Sequence, residues 1–126
     1  MPRDIYPVLQ YRDAHAALDW LERAFGFERT DVHEDGGRVV HAELRFGDGR
    51  LMLSSSRGDD GSGYPDQTGR GWLYVVVEDA DAHHERAQAA GARIVKELSD
   101  QDYGSRDYSA LDPEGNFWSF GTYAPA

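Results

Sequence analysis

Residues 7–13 read Pro-Val-Leu-Gln-Tyr-Arg-Asp, and residues 73–79 read Leu-Tyr-Val-Val-Val-Glu-Asp. Each stretch is followed by an alanine-rich segment that closes at a glycine, Gly26 in the first case and Gly91 in the second. The two aspartates lie 66 positions apart and the two glycines 65, about half of the 126-residue chain. A pattern repeated at this offset predicts two copies of one structural unit.

Both copies continue with the same succession of elements. Asp13 and Asp79 are predicted to cap helices by accepting hydrogen bonds from backbone N–H groups of the first turn. Alternating and turn-bounded segments predict strands over residues 5–11, 27–33, 38–46 and 50–54 in the first half, and over 72–78, 92–97, 105–111 and 117–123 in the second. Each half is therefore predicted to be a βαβββ module, and its single helix can cover only one face of its strands.

The length fits one α+β domain spanning residues 1–126. We expect module 1 over residues 1–54, a linker over 55–70 and module 2 over 71–126. The linker is rich in Gly, Asp and Ser, and loops of this length are usually functional or disordered. Because it lacks the lysine and spacing of a phosphate-binding loop, we interpret it as a connection that could also act as a lid.

Composition excludes several classes of function. The chain contains no cysteine, so disulfides, thiolate nucleophiles and cysteine metal sites are excluded. The formal net charge of −10 argues against nucleic acid as a partner; it either serves solubility or attracts a cationic ligand. No apolar run is long enough to span a membrane and no signal core follows the first residues, so we expect a cytoplasmic protein without membrane contact.

Side chains alternate across a strand, so the residues beneath a helix also identify those on the opposite, open face. In strand 72–78, Leu73, Val75 and Val77 are expected beneath the helix. In the first strand Ile5, Pro7 and Leu9 are expected there, and in strand 38–46 Val40 is expected beneath the helix and Val39 opposite. The open face is then predicted to carry Tyr6, Val8, His41, Glu43, Met52, Trp72, Tyr74, Phe117 and Ser119.

An aromatic face with a few polar groups is the composition of a small-molecule pocket. A face buried by a partner subunit would carry similar residues, and both hold if the pocket forms at a dimer interface. Arg106 and Tyr108 are expected at the rim of the pocket, where the arginine could pair with a ligand. The alternative for Arg106 is a surface ion pair with Asp107. His83 is expected to be partly buried and hydrogen-bonded on its helix.

The turn Asp112-Pro113-Glu114-Gly115-Asn116, which leads into an aromatic strand within a doubled βαβββ unit, resembles the glyoxalase/bleomycin-resistance/extradiol-dioxygenase group, the vicinal oxygen chelate superfamily. The resemblance covers essentially the whole chain. It implies eight strands and two main helices, with the strands curled into a cup-like mixed sheet, and a homodimer. It also implies a divalent metal in the cup, held by His, Gln or Glu from the first and fourth strands of each unit.

By strand register the four metal-ligand positions of the family correspond to Tyr6, Met52, Trp72 and Ser119. These side chains cannot supply the imidazole or carboxylate donors that a catalytic divalent ion requires. We therefore predict no metal, no cofactor and no catalytic residue, but a cup that binds an aromatic or cationic small molecule, as drug-sequestering members of the family do.

Three alternatives stay open at this point. The first is a metal-dependent lyase, isomerase or dioxygenase with atypical ligands. The second is a face that serves only protein association. The third concerns His41 and Glu43, which point the same way from one strand. They could hold a displaced metal with a third donor such as Gln10, act as a general base with its orienting carboxylate, or form a polar patch.

Overall fold

A computed structural model describes residues 4–57 and 61–126; residues 58–60 of the predicted linker lie outside the described residues. The elements are β1 (Val8–Tyr11), α1 (Ala14–Trp20) continued by a π-helical turn (Leu21–Phe25), β2 (Glu28–Asp35), β3 (Arg38–Phe46), β4 (Gly49–Ser55), β5 (Trp72–Val76), α2 (Ala80–Ala89), β6 (Arg93–Asp100), β7 (Arg106–Leu111) and β8 (Phe117–Gly121). No helix within the described ranges is long and apolar enough to cross a membrane.

The α+β class, the eight strands and the doubled βαβββ order are confirmed. The strands form two mixed sheets, one with the order β1-β4-β3-β2 (sheet A) and one with the order β5-β8-β7-β6 (sheet B). In each sheet the first strand is parallel to the fourth, and the remaining pairs are antiparallel. The two sheets have the same connectivity because the same sequence pattern occurs twice.

Both predicted helix caps are present. The side chain of Asp13 accepts a hydrogen bond from the Ala16 backbone N–H at 3.0 Å, and the side chain of Asp79 accepts one from the Ala82 N–H at 3.0 Å. Such caps satisfy donors that the first turn of a helix cannot satisfy internally. The first helix ends at Gly26, whose φ of 82° favours glycine over residues with a side chain.

One apolar core is shared by the two modules. The Phe25 ring, at the end of the first helix, lies 5.3 Å from the Trp118 ring and 4.6 Å from the Phe120 ring, both on β8. All three side chains are completely buried, and burial of each contributes about 1.5–3 kcal/mol or more to folding. The helix-covered faces of both sheets thus contribute to a single core, and each sheet keeps its open face outside it.

The turn that carried the family resemblance joins the modules. The Tyr11 hydroxyl of module 1 donates to Asp112 Oδ2 at 2.6 Å, and both groups are buried. The Glu114 carboxylate accepts from the backbone N–H groups of Arg12 and Asp13 at 2.6 and 2.9 Å. The turn therefore fixes the carboxyl end of β1 and the start of the first helix against module 2.

His83 is partly buried and hydrogen-bonded, as predicted. Its Nε2 lies 2.8 Å from the Phe25 carbonyl oxygen, which can only accept, so Nε2 carries the proton. Its Nδ1 then accepts from the Tyr108 hydroxyl at 2.5 Å. Burial lowers the pKa of His83 and raises that of Tyr108. The neutral imidazole is therefore part of the contact between the two modules.

Two details of the predicted faces are wrong. Ile5 and Pro7 precede β1, which begins at Val8, and Ile5 is 94% exposed. In β3, Val39 is completely buried and Val40 is 49% exposed, the reverse of the expectation. The cause is a bulge in β3. Glu34 pairs with Val39 but the preceding residue, His33, pairs with His41, so that Val40 is the extra residue. The extra residue shifts the alternation by one position.

Candidate functional site

A cavity of about 350 Å³ lies on the open face of sheet B. Its walls carry three aromatic side chains with large exposed fractions, 78% for Trp72, 41% for Tyr74 and 60% for Tyr103. The described residues that line it are Trp72, Tyr74, Lys96, Tyr103, Asp107, Ser109 and Ser119. Exposed rings beside convergent polar groups form a surface suited to an organic ligand.

The aromatic walls are held in position by neighbouring groups. The Trp72 ring packs edge-on against Phe117, with ring centroids 5.7 Å apart, and these two residues are directly paired in the sheet. The Tyr74 hydroxyl donates to the Tyr123 carbonyl oxygen at 2.6 Å. The Tyr103 ring makes an edge contact with the Tyr123 ring at 5.4 Å. The rings can therefore present their faces to a ligand without first being ordered.

A hydrogen-bonded network surrounds Asp107, a 7% exposed residue on β7. Its carboxylate accepts from Lys96 Nζ at 2.9 Å, Gln101 Nε2 at 3.0 Å and the Tyr103 hydroxyl at 3.2 Å. Beside it, the hydroxyls of Ser109 and Ser119 are 2.9 Å apart. The charge of the carboxylate is balanced by the ammonium, and its oxygens are engaged by three donors.

The open face of sheet A carries a separate polar group. His33 is paired directly with His41 across β2 and β3, and Asp31 with Glu43. Each histidine Nε2 lies 2.8 Å from the carboxylate two residues away on its own strand, Asp31 for His33 and Glu43 for His41. The two imidazole rings are stacked with centroids 6.2 Å apart. The His41–Glu43 contact fits two of the three alternatives given for this pair, the polar patch and the general base with its orienting carboxylate.

The predicted open-face residues are divided between the two sheets. Trp72, Tyr74 and Ser119 line the cavity, and Phe117 supports it. The other five belong to the sheet A side and are not part of the cavity lining: Tyr6, Val8, His41, Glu43 and Met52. The Tyr6 hydroxyl donates to Asp4 Oδ2 at 3.1 Å, and this hydrogen bond raises the pKa of Tyr6.

Arg106 and Tyr108 do not line the cavity, so their expected position at its rim is wrong. Tyr108 is completely buried on the helix-covered face. Arg106 forms ion pairs with Asp81 of α2 at 3.0 Å and with Asp100 at 3.2 Å, which also excludes the alternative pair with Asp107. The hydrogen bond to Asp81 raises the pKa of Arg106. Both side chains therefore stabilise contacts with α2.

Four lining residues were missed by the sequence prediction: Lys96, Tyr103, Asp107 and Ser109. A signal for two of them was present in the sequence. Ser119 was predicted to lie on the open face, and Ser109 pairs with it in the sheet. Alternation then places Asp107 and Ser109 on the open face. Lys96 and Tyr103 could not be found in this way because β6 contains register shifts and Tyr103 lies in a turn.

The four metal-ligand positions implied by the family resemblance do not fit a divalent metal. They offer a phenol, a thioether, an indole and a hydroxyl, and the phenol and the hydroxyl already bond to Asp4 and Ser109. Among residues 4–57 and 61–126, no group of three or more His, Asp or Glu side chains is arranged to hold a metal ion. The four positions therefore lack the imidazole and carboxylate donors that a catalytic divalent ion requires.

Comparison with known proteins agrees with the resemblance that was found in the sequence. A family model described as the Glyoxalase/Bleomycin resistance protein/Dioxygenase superfamily matches residues 6–120. An uncharacterized protein of Mycobacterium bovis is 34% identical, and the match covers 91% of this chain and 80% of that protein. The crystal structure of TioX from Micromonospora sp. ML1 is 33% identical, with a TM-score of 0.81, and the match covers 98% of this chain and 100% of TioX.

A more distant similarity concerns the fold alone. A mutant glyoxalase I from Zea mays is 17% identical with a TM-score of 0.75, and the match covers 95% of this chain and 44% of the maize chain.

Proposed function

Because the chain belongs to the glyoxalase/bleomycin resistance protein/dioxygenase superfamily, as its repeat and its Asp112–Asn116 turn indicated, we propose that it binds a small aromatic molecule and releases it unchanged, without a metal ion. The observation that carries the proposal is the cavity of sheet B, whose walls are the exposed rings of Trp72, Tyr74 and Tyr103. A planar ligand placed against these rings would gain stacking and apolar burial at once.

The polar groups of the cavity support binding rather than catalysis. A general base needs an acceptor within hydrogen-bond reach of the substrate, and the oxygens of Asp107 are engaged by three donors. A serine nucleophile needs an adjacent base, whereas Ser109 and Ser119 bond to each other. The described residues contribute no imidazole to the lining. These groups can orient a ligand, but none of them is activated to transform it.

The binding proposal can be tested with 2-naphthamide as an uncharged aromatic probe. We expect saturable binding by isothermal titration calorimetry, and a shift of the Trp72 indole N–H signal in NMR spectra, assigned with a Trp72→Phe variant. Trp20 and Trp118 are buried and serve as internal controls. A Trp72→Ala variant should bind the probe about tenfold more weakly, because it loses one stacking face, equivalent to about 1.4 kcal/mol. Absence of saturable binding by the wild-type protein would overturn the proposal.

A second measurement separates binding from catalysis. Members of the same superfamily that act as metal-dependent enzymes would retain a tightly held ion or respond to one. We expect less than one tenth of an equivalent of zinc, nickel, iron or manganese in protein purified without chelator. Aromatic compounds incubated with the protein should be recovered unchanged, with or without added metal. Stoichiometric metal together with conversion of a compound would favour a lyase, isomerase or dioxygenase.

We also propose that the protein is a homodimer, because only two of its four sheet edges are protected. An open edge strand invites pairing with another chain unless charges or bulges prevent it. The outer strands β2 and β6 each carry several charged residues and register shifts. In contrast, β1 and β5 contain no charged residue. Both have only one hydrogen-bonded neighbour among the described strands.

Apolar surface is exposed on both sides of the β5 edge. On the open side, Trp72 and Val76 are 78% and 42% exposed. On the covered side, Leu73 and Val75 are only half-buried and border a groove of about 920 Å³ that also includes Ile5. A strand exposed in this way is the type of surface that a second subunit covers.

Symmetry favours one arrangement of the dimer. If β1 of one copy pairs with β5 of the other, a twofold axis covers all four open edges and the assembly closes, whereas like-with-like pairing at both edges tends to produce open chains. This arrangement would place the open face of sheet A beside the cavity of the partner subunit. The residues predicted from the sequence, which are divided between two sheets in one chain, would then border one surface.

The dimer is tested by multi-angle light scattering at micromolar concentration. We expect a mass of about twice 14.1 kDa for the wild-type chain. Val76→Lys places a charge in the middle of the proposed interface and should yield a monomer. Val95→Lys, at a residue of similar exposure on the protected strand β6, is the matched control and should leave the dimer intact. A monomeric wild-type protein, or equal effects of both substitutions, would refute this arrangement.

A further inference from the structure

The geometry of the sheet B cavity points to the chemical class of its ligand: a planar aromatic acid, whose anionic group is bound by Lys96. This inference rests on the proposed binding function and adds the sign of the ligand charge. The acidic composition of the chain by itself favours a cationic ligand, whereas the cavity is inferred to bind an anionic one.

The charged groups inside the cavity are few. Lys96 is the only lysine of the chain and, among the described residues, the only cationic side chain in the cavity lining. Asp107 is the only carboxylate that the described residues contribute to that lining. A ligand that enters the cavity therefore meets one side chain of each charge, and the outcome depends on which of the two can still form hydrogen bonds.

The two charged groups differ in their remaining hydrogen-bonding capacity. Asp107 is 7% exposed and already accepts from Lys96, Gln101 and Tyr103. The side chain of Lys96 is 48% exposed and uses one of its three N–H donors for Asp107 within the described part of the chain. Two donors on an accessible cation are left for a ligand, whereas the carboxylate is nearly inaccessible and three of its roughly four acceptor sites are used.

The groups next to the lysine also favour an anion. The hydroxyls of Ser109 and Ser119 lie in the same lining, and each can donate a further hydrogen bond to an anionic oxygen after a rotation about its Cβ–Oγ bond. A ligand ammonium would instead be placed next to the Lys96 ammonium. The rings of Trp72 and Tyr74 on the walls require the rest of the ligand to be flat and apolar.

The net charge of the chain does not reverse this local preference. Interactions between exposed charges are largely screened beyond about 10 Å at 0.1 M ionic strength. A ligand carboxylate in hydrogen-bond contact with Lys96 is affected mainly by that ammonium and by the nearby Asp107 carboxylate, whose charge is offset by the three groups that donate to it. The distributed negative charge of the surface would slow the approach of an anion more than it would weaken the final contact.

The experiment compares three probes with one ring system: 2-naphthoate, 2-naphthamide and 2-naphthylmethylammonium, which are anionic, neutral and cationic. Calorimetric titration of the full chain should rank them in that order, with 2-naphthoate at least tenfold tighter than the ammonium probe. Charge-assisted hydrogen bonds are roughly twice as strong as neutral ones, which is the basis of this ranking. The comparison uses only the wild-type protein, so it does not depend on the folding of any variant.

Two substitutions then locate the preference. Lys96→Gln keeps an N–H donor for Asp107 but removes the charge, and should weaken 2-naphthoate about tenfold while changing 2-naphthamide less than threefold. Lys96→Arg keeps the charge and should retain the order of the three probes. Near-ultraviolet circular dichroism of both variants verifies that they are folded.

The outcomes separate the two proposals. If none of the three probes binds to the wild-type protein, the proposed function and the ligand class both fail. If the probes bind but the ammonium compound is preferred, or if Lys96→Gln weakens all three equally, the ligand class is refuted and the binding function stands.

Discussion

Replacing Tyr11 by phenylalanine should weaken the link between the two modules without changing the shape of the core. The hydroxyl removed by Tyr11→Phe donates to Asp112 Oδ2 at 2.6 Å, and the two residues are 1% and 4% exposed. Hydrogen bonds to charged groups contribute about 1.5–3 kcal/mol. Asp112 still accepts hydrogen bonds from other donors, among them Asn116 Nδ2 and Trp118 Nε1, so the buried carboxylate stays hydrogen-bonded. We therefore expect a loss near the lower limit, about 1.5–2 kcal/mol.

The loss is measured as the free energy of unfolding from urea denaturation at pH 7. The midpoint should fall while the m-value stays the same, because the substitution does not change the surface exposed on unfolding. Tyr6→Phe is the matched control, since the same hydroxyl is removed from a 45% exposed residue whose partner is the surface carboxylate of Asp4. We expect less than about 0.5 kcal/mol for the control.

The dependence of stability on alkaline pH provides an independent measurement. Burial, together with the charge of Asp112, raises the pKa of Tyr11 above the value of 10.0 of an exposed tyrosine. The folded state then holds a proton that the unfolded state releases, so this part of the stability is complete below about pH 10 and is lost as the pH rises further. Tyr11→Phe should reduce the alkaline loss. A loss below about 0.5 kcal/mol at pH 7, or an unchanged alkaline profile, would refute the assigned role of this contact.

Two further substitutions test the packing of the modules and the state of the buried histidine. Gly71→Ala should lower the free energy of unfolding by about 1–3 kcal/mol in urea denaturation, because the new Cβ would lie 2.5 Å from Leu9 Cδ2. An unchanged stability would show that Leu9 can move away. Burial lowers the pKa of His83, so its contribution to stability is complete above about pH 6.5 and declines as the pH falls below that value. The test substitution is His83→Gln, because the glutamine amide can still donate to the Phe25 carbonyl. Between pH 8 and pH 5, the free energy of unfolding of this variant should decline less than that of the wild-type protein. An identical decline would contradict this assignment.

Individual elements show how far the sequence predicted the site. The alternation of Leu73, Val75 and Val77 predicted that Trp72 and Tyr74 face outward, and both line the cavity. In β7, alternation from Ser109 on the open face places Tyr108 on the covered face, where it is buried, and not at the expected rim. Alternation along a strand is a local property, but it predicts a face only when one of the two faces has been identified.

The sequence alone determined the repeated βαβββ order, the two capping aspartates and the family, because each depends on residue types at fixed spacing within one segment. Only the tertiary structure decided that the two modules share one core, that Asp112 and Glu114 join them, and that Lys96 and Asp107 meet beside exposed rings. These contacts form between residues that are distant in sequence or separated by a bulge. Their geometry depends on strand register and module packing, which short-range patterns do not encode.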